Sequence, residues 1–299
     1  MLLSQVVNAV VLGGIYLLFS AGLTLSWGVL DILNLAHGSI FMFGAFSAYV
    51  LIRDSGMVLA LPVLALFAAA VGALLSAVLQ LLVFGPLRRR ADSRGQAELG
   101  VLIASIGASL IPVAVALNLA DAEVVNLPGD VARTAVHTLG PIRITTLQIG
   151  IVVLAVLLAG ALAWWIARTR SGRALRTIAF DPPTADLLGI PVERLSLLTM
   201  AISGALAGGG GLLLAANANA IEPHMGDGLL LKAFAVIVLG GVGSIAGAAV
   251  GAFVLAFAET FAVAYVSGDA RDIIAFALIL LVLVLRPEGL VSRTAWQRA

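Results

Sequence analysis

Residues 203–260 read SGALAGGGGLLLAANANAIEPHMGDGLLLKAFAVIVLGGVGSIAGAAVGAFVLAFAET. Gly208 to Gly211 stand together inside an apolar run, where each glycine costs an ordinary helix about 1 kcal/mol relative to alanine. Gly243, Gly247 and Gly251 recur every four residues, which would leave one helix face as bare backbone. Both patterns suit helices that approach closely in lipid, where van der Waals packing replaces the hydrophobic drive. Lys232 and Glu259 are the two charges well within these runs. Such charges pair, snorkel or line a polar path, and the sequence admits all three.

The rest of the 299-residue chain has the same character: 61% of it is hydrophobic and 11% charged, against about 25% charged in soluble domains. Read with a membrane-length window, it divides into apolar runs near 5–26, 32–52, 57–84, 97–119, 145–167, 195–216, 229–241, 246–265 and 271–287. This predicts an all-α, polytopic transmembrane bundle of eight or nine spans with one or more broken helices, forming a single membrane domain over 1–299. The run 229–241 would reach only about 20 Å, short of a roughly 30 Å hydrocarbon core. It is either a shielded half-helix or the end of a helix that starts earlier. The first run lacks a basic leader and reads as retained helix. The segment 120–144, with Asp121, Glu123, Pro128, Gly129, Asp130 and Pro141, suffices for a turn or small hairpin.

Arginine placement orients the chain. Arg88, Arg89, Arg90 and Arg94 share one loop, Arg168, Arg170, Arg173, Arg176 and Arg194 another, and Arg286, Arg293 and Arg298 close the sequence. The alternate loops hold Arg53, Arg133, Arg143 and Arg271. The positive-inside rule then puts the N-terminus outside and the C-terminus in the cytoplasm. The net charge of 17 − 16 = +1 offers no field for nucleic acid. Absent cysteine excludes disulfides, thiolate zinc and cysteine nucleophiles.

Two further stretches carry chemistry. In GLTLSWGVLDILNLAHGSIFMFGAFSA (22–48), Asp31, Asn34 and His37 follow at three-residue steps, near one face if the segment is helical. A polar edge in an apolar span faces protein or a water-filled path. Asn34, His37 and Gly38 are therefore either part of an interhelical clamp or candidate pathway residues, as are Lys232 and Glu259. A metal site has little support among three histidines without HExxH spacing. The basic loop RTRSGRALRTIAFDPPTADLLGIPVERL (168–195) is too polar for lipid. Ala174, Leu175, Ile178 and Ala179 lie on one side of a helix, and Ala185 and Leu188 continue after Pro182-Pro183. It is either an interfacial anchor or a docking helix for a partner groove.

These three stretches resemble the permease subunit of branched-chain amino-acid ABC importers, the LivH-type family that includes permeases for urea and short amides. The resemblance is carried by Gly22-Leu23-Thr24, Gly28, Asn34-Leu35-Ala36-His37-Gly38 and Gly44-Ala45. It continues in Gly172-Arg173-Ala174-Leu175-Arg176, Ala179, Ala185 and Gly189-Ile190, then Gly204-Ala205-Leu206-Ala207-Gly208, Lys232-Ala233-Phe234, Gly240-Gly241-Val242-Gly243-Ser244, Gly247-Ala248 and Glu259. The resemblance implies one half of an import channel in a bacterial-type inner membrane, paired with a second, usually related permease chain. Two cytoplasmic ATPases would dock beneath, holding ATP and magnesium, and an extracytoplasmic binding protein would deliver solute. No cofactor would belong to this chain. Residues 168–194 would couple to the ATPases through Gly172, Arg173, Ala174, Arg176, Ala179, Ala185, Gly189 and Ile190. Asn217, Asn219, Glu222, His224 and Asp227 would meet the binding protein. Asp181-Pro182-Pro183 departs from the polar stretch expected there, which affects the shape of the docking helix.

The sequence lacks the GxxxxGK[ST] phosphate loop, so energy would come from elsewhere. An ion-coupled secondary transporter would carry several buried carboxylates, and Glu259 is the only acid deep in a run. A membrane serine hydrolase is disfavoured because GxSxG does not occur. The favoured solutes are leucine, isoleucine and valine, with urea or amides second.

Overall fold

A computed structural model describes residues 2–56, 59–120, 123–127, 135–139, 142–266, 268, 270–286 and 289–291. Asp121, Pro128, Gly129, Asp130, Arg133, Pro141, Arg293 and Arg298 lie outside the described residues. Helices dominate: α1 (Leu2–Leu30), α2 (His37–Ser55), α3 (Leu61–Leu79), α4 (Gly85–Arg90), α5 (Arg94–Leu119), α6 (Thr146–Arg168), α7 (Arg170–Phe180), α8 (Pro182–Leu187), α9 (Val192–Ala218), α10 (Met225–Gly240), α11 (Ile245–Tyr265) and α12 (Ala270–Leu285). The expected small hairpin is β1 (Val136–Leu139) paired antiparallel with β2 (Ile142–Thr145).

Among the described residues, six helices are long and apolar enough to cross a membrane: α1, α3 continued through α4, α5, α6, α9 and α11. The chain is therefore a multi-pass helical membrane protein. The short run at 229–241 belongs to a helix that begins earlier, at Met225. Its sixteen residues still reach only about 24 Å. Between α3 and α4 the chain makes a π-turn at Gln80–Phe84.

Contacts divide the chain into two compact units, one of Met1–Thr24, Arg133–Ala163 and Leu231–Ala299, the other of Leu25–Ala132 and Trp164–Leu230. In the second unit, α9 packs on α2 and α3, and α2 also packs on α3 and α5. Glycines make these approaches possible. A methyl at Gly44 would meet the backbone of Gly208, and one at Gly211 would overlap the Phe41 carbonyl. A methyl at Gly72 would overlap the Gly204 carbonyl oxygen and lie 3.0 Å from the Gly208 backbone. Gly208 and Gly211 of the glycine run thus occupy a backbone-on-backbone seam, where a side chain has no room.

In the first unit, α11 packs against α12, and Gly247 and Gly251 of α11 face Gly240 and Val236 of α10. Gly243 departs from the expected helix face: it stands in the turn between α10 and α11 with φ +81°. The helix starts only after Ser244, whose Oγ accepts the Gly247 amide at 3.0 Å.

Candidate functional site

The basic segment after α6 forms two short helices. Thr169 caps α7, its Oγ1 accepting the Gly172 amide at 3.0 Å. The Pro182-Pro183 departure starts α8, since proline tolerates the first helical turn. Gly189 turns the chain toward α9 with φ +76°, a conformation that costs residues bearing a Cβ.

Gly172, Leu175, Ile178 and Ala185 are buried. Leu175, Ile178 and Ala185 share one apolar cluster with Leu30 at the end of α1, Phe84, Val101 of α5 and Met200 of α9. The segment is thereby packed into the bundle of its unit. Its other side is open: Phe180 is 91% exposed and Leu187 88%, with Leu188 beside them. Arg173, Ala179 and Gly189 are exposed, while Ala174, Arg176 and Ile190 are half-buried. The expected apolar face is therefore narrower than the pattern implied, since Ala179 and Leu188 belong to the exposed side. Sequence reasoning missed Phe180 and Leu187, whose signal was their large apolar side chains in a loop otherwise too polar for lipid.

Beside this element lies a cavity of about 420 Å³, lined in part by Asp31, Arg88, Asp92, Glu98, Phe180 and Asp181. Asp31, Asn34 and His37 do not share a helix face. The helix breaks at Asp31, which has φ +51°, and α2 restarts at His37. Asn34 organises the break: its Oδ1 accepts the Ala36 amide at 3.1 Å and its carbonyl accepts the His37 amide at 3.2 Å. The Leu35 amide donates to Ser105 Oγ of α5 at 3.1 Å. Asn34 and His37 are fully buried and Asp31 is exposed. Gly38 faces Gly226, whose carbonyl oxygen would lie 2.7 Å from an added methyl.

Lys232 and Glu259 pair directly in the first unit. Lys232 Nζ donates to Glu259 Oε1, and the Tyr16 hydroxyl donates to Glu259 Oε2 at 2.6 Å. Lys232 also lies 3.4 Å from that hydroxyl and 5.8 Å from the centre of the Tyr16 ring. Glu259 is wholly buried. The candidate pathway residues thus fall into two groups: Asn34, His37 and Gly38 in one unit, Lys232 and Glu259 in the other. Asn217, Asn219, Glu222, His224 and Asp227 are exposed, with His224 Nδ1 3.0 Å from Asp227 Oδ2. Among the described residues, no three His, Cys, Asp or Glu side chains are grouped to hold a metal ion.

The described residues thus form a multi-pass helical membrane protein with glycine-lined helix contacts, an ion pair on a buried acid and an amphipathic helical segment between α6 and α9. The family model described as "Branched-chain amino acid transport system / permease component" matches residues 5–283, and the chain belongs to that family. It is 33% identical over 306 residues to the LivH permease protein of a high-affinity branched-chain amino acid transport system in Escherichia coli K12, covering 97% of this chain and 96% of that one. It is likewise 33% identical over 300 residues to BraD of Pseudomonas aeruginosa, described in the same terms, with the same coverage. Among solved structures, PsaBC from Streptococcus pneumoniae in complex with Fab shares the fold at TM-score 0.50, with 13% identity over 98% of this chain and 94% of that chain.

Proposed function

We propose that this permease chain, as a single membrane domain over 1–299, is half of the translocation channel of an ATP-driven importer for leucine, isoleucine and valine. The names of the similar LivH and BraD proteins support that substrate class. The single observation that carries the energy coupling is the two-sided segment α7–α8. Its inner side is welded to α1, α5 and α9 through Leu175, Ile178 and Ala185, while Phe180, Leu187 and Leu188 project outward. A push on the outer side must displace the bundle ends, because a packed core transmits strain rather than absorbing it.

In this reading Phe180, Leu187 and Leu188 enter a groove on one of two cytoplasmic ATPases, which hold ATP and magnesium, so this chain hydrolyses nothing itself. Arginine asymmetry supports a cytoplasmic C-terminus and an outside N-terminus in an inner membrane. The helices α2, α10 and α12, added to the six long ones, bring the number of membrane-embedded helices to about nine. A second, related permease completes the channel, and a binding protein meets the exposed segment from Asn217 to Asp227. Proton coupling is disfavoured because the one deep carboxylate among the described residues, Glu259, is already neutralised by Lys232.

The test is copurification of the assembled complex, followed by leucine uptake in liposomes. Uptake that requires ATP supports the proposal. Accumulation by this chain alone on an ion gradient, without nucleotide, defeats it.

A further inference from the structure

Tyr16, Ser20 and Thr24 stand four residues apart on α1, so each advances about 6 Å along the helix and about 40° around it. They form a row of hydroxyls on one face of an apolar helix. At its head, Tyr16 reaches the buried Lys232–Glu259 pair. Ser20 Oγ and Thr24 Oγ1, with Ser76 Oγ on α3, stand apart from most of the described membrane-helix hydroxyls. Ser39, Ser47, Ser105, Ser109 and Thr199 each donate to a carbonyl three or four residues back, the local bond such side chains ordinarily make. Ser20 and Thr24 are 1% and 2% exposed, yet neither hydroxyl has a hydrogen-bond partner among the described residues. Buried hydroxyls left in this state are unfavourable unless something else satisfies them.

Resting on the import reading above, we propose that Tyr16, Ser20, Thr24, Lys232 and Glu259 form a transit site for the zwitterionic head of an α-amino acid. Lys232 and the hydroxyls take the carboxylate, and Glu259 takes the ammonium. The charge arithmetic suits this ligand. The Lys–Glu pair is neutral and a zwitterion is neutral, so exchanging partners between them leaves no net charge in a low-dielectric interior. A free carboxylate or a free amine would leave one. With Glu259 fully buried, the site is closed, and the head enters only when α1, α10 and α11 part.

The test uses the whole reconstituted complex, with radiolabelled leucine as the probe and two readouts, uptake and ATP hydrolysis. The double variant S20A/T24V keeps the size of the side chains and removes both hydroxyls. Its uptake should fall about tenfold, as expected for two lost neutral hydrogen bonds, while hydrolysis stimulated by the leucine-loaded binding protein persists. Thr24→Ser should retain uptake. Wild-type uptake by the double variant overturns the site, and so does a parallel loss of uptake and hydrolysis, which marks a packing or coupling defect. If the wild-type complex carries no leucine, the import reading itself fails, before any variant is compared.

Discussion

The Tyr16 hydroxyl donates to Oε2 of Glu259 at 2.6 Å, joining positions 243 residues apart in the chain. With Lys232 on the other carboxylate oxygen, the contact ties α1, α10 and α11 through a wholly buried acid. Removing one member of a buried pair strands the other. Glu259→Gln should therefore destabilise the protein by about 3 kcal/mol, read as a lower melting temperature in detergent. The paired change K232M/E259L should recover most of that loss, because no charge is then left unmatched. It should still abolish leucine uptake.

The glycine seam supplies an internal control. Gly208 and Gly209 are neighbours, but an added methyl at Gly208 would overlap the Ala68 carbonyl, whereas one at Gly209 would rest 3.5 Å from the Ala69 Cβ. Gly208→Ala should lower the melting temperature, since separating the helices costs more than the helix propensity returns. Gly209→Ala should be neutral or stabilising, by at most about 1 kcal/mol.

The outward side of α7–α8 separates docking from folding. Leu188→Glu changes an exposed residue, so folding and membrane insertion should be unchanged. ATP hydrolysis stimulated by the loaded binding protein should fall to the basal rate. Ala185→Glu puts a charge into the buried cluster beneath, and it should reduce the yield of folded protein instead. Equal stimulation in Leu188→Glu and wild type would remove the docking assignment.

At the break between α1 and α2, Asn34→Ala deletes the acceptor of the Ala36 amide. A buried amide left without its acceptor costs about 1–3 kcal/mol, so thermal stability should drop accordingly. His37→Leu tests the neighbouring position separately. Near-normal transport wherever the variant is expressed identifies His37 as a packing residue, and a loss confined to transport identifies it with the pathway.

Much of this was legible in the residues. Apolar runs with sparse charge imply lipid-embedded helices because a bilayer leaves no other way to satisfy backbone amides. The motif blocks from Gly22 to Glu259 carried the family resemblance that the comparisons bear out. Other features lay beyond local pattern. The three-residue spacing of Asp31, Asn34 and His37 suggested a shared helix face, yet the turn made by the Asn34 side chain interrupts the helix there. Gly243, Gly247 and Gly251 share one spacing, but the chain reverses at Gly243 and only the latter two lie on α11.

Composition and periodicity by themselves determined the class of molecule and its solvent, because hydrophobic burial and backbone satisfaction act on every residue alike. Tertiary structure alone decided that Lys232 meets Glu259 and Tyr16, that Gly44 meets Gly208, and that Phe180 faces outward while Ile178 faces in. Pairing between distant positions depends on which helices become neighbours, and no local interval in the sequence encodes that choice.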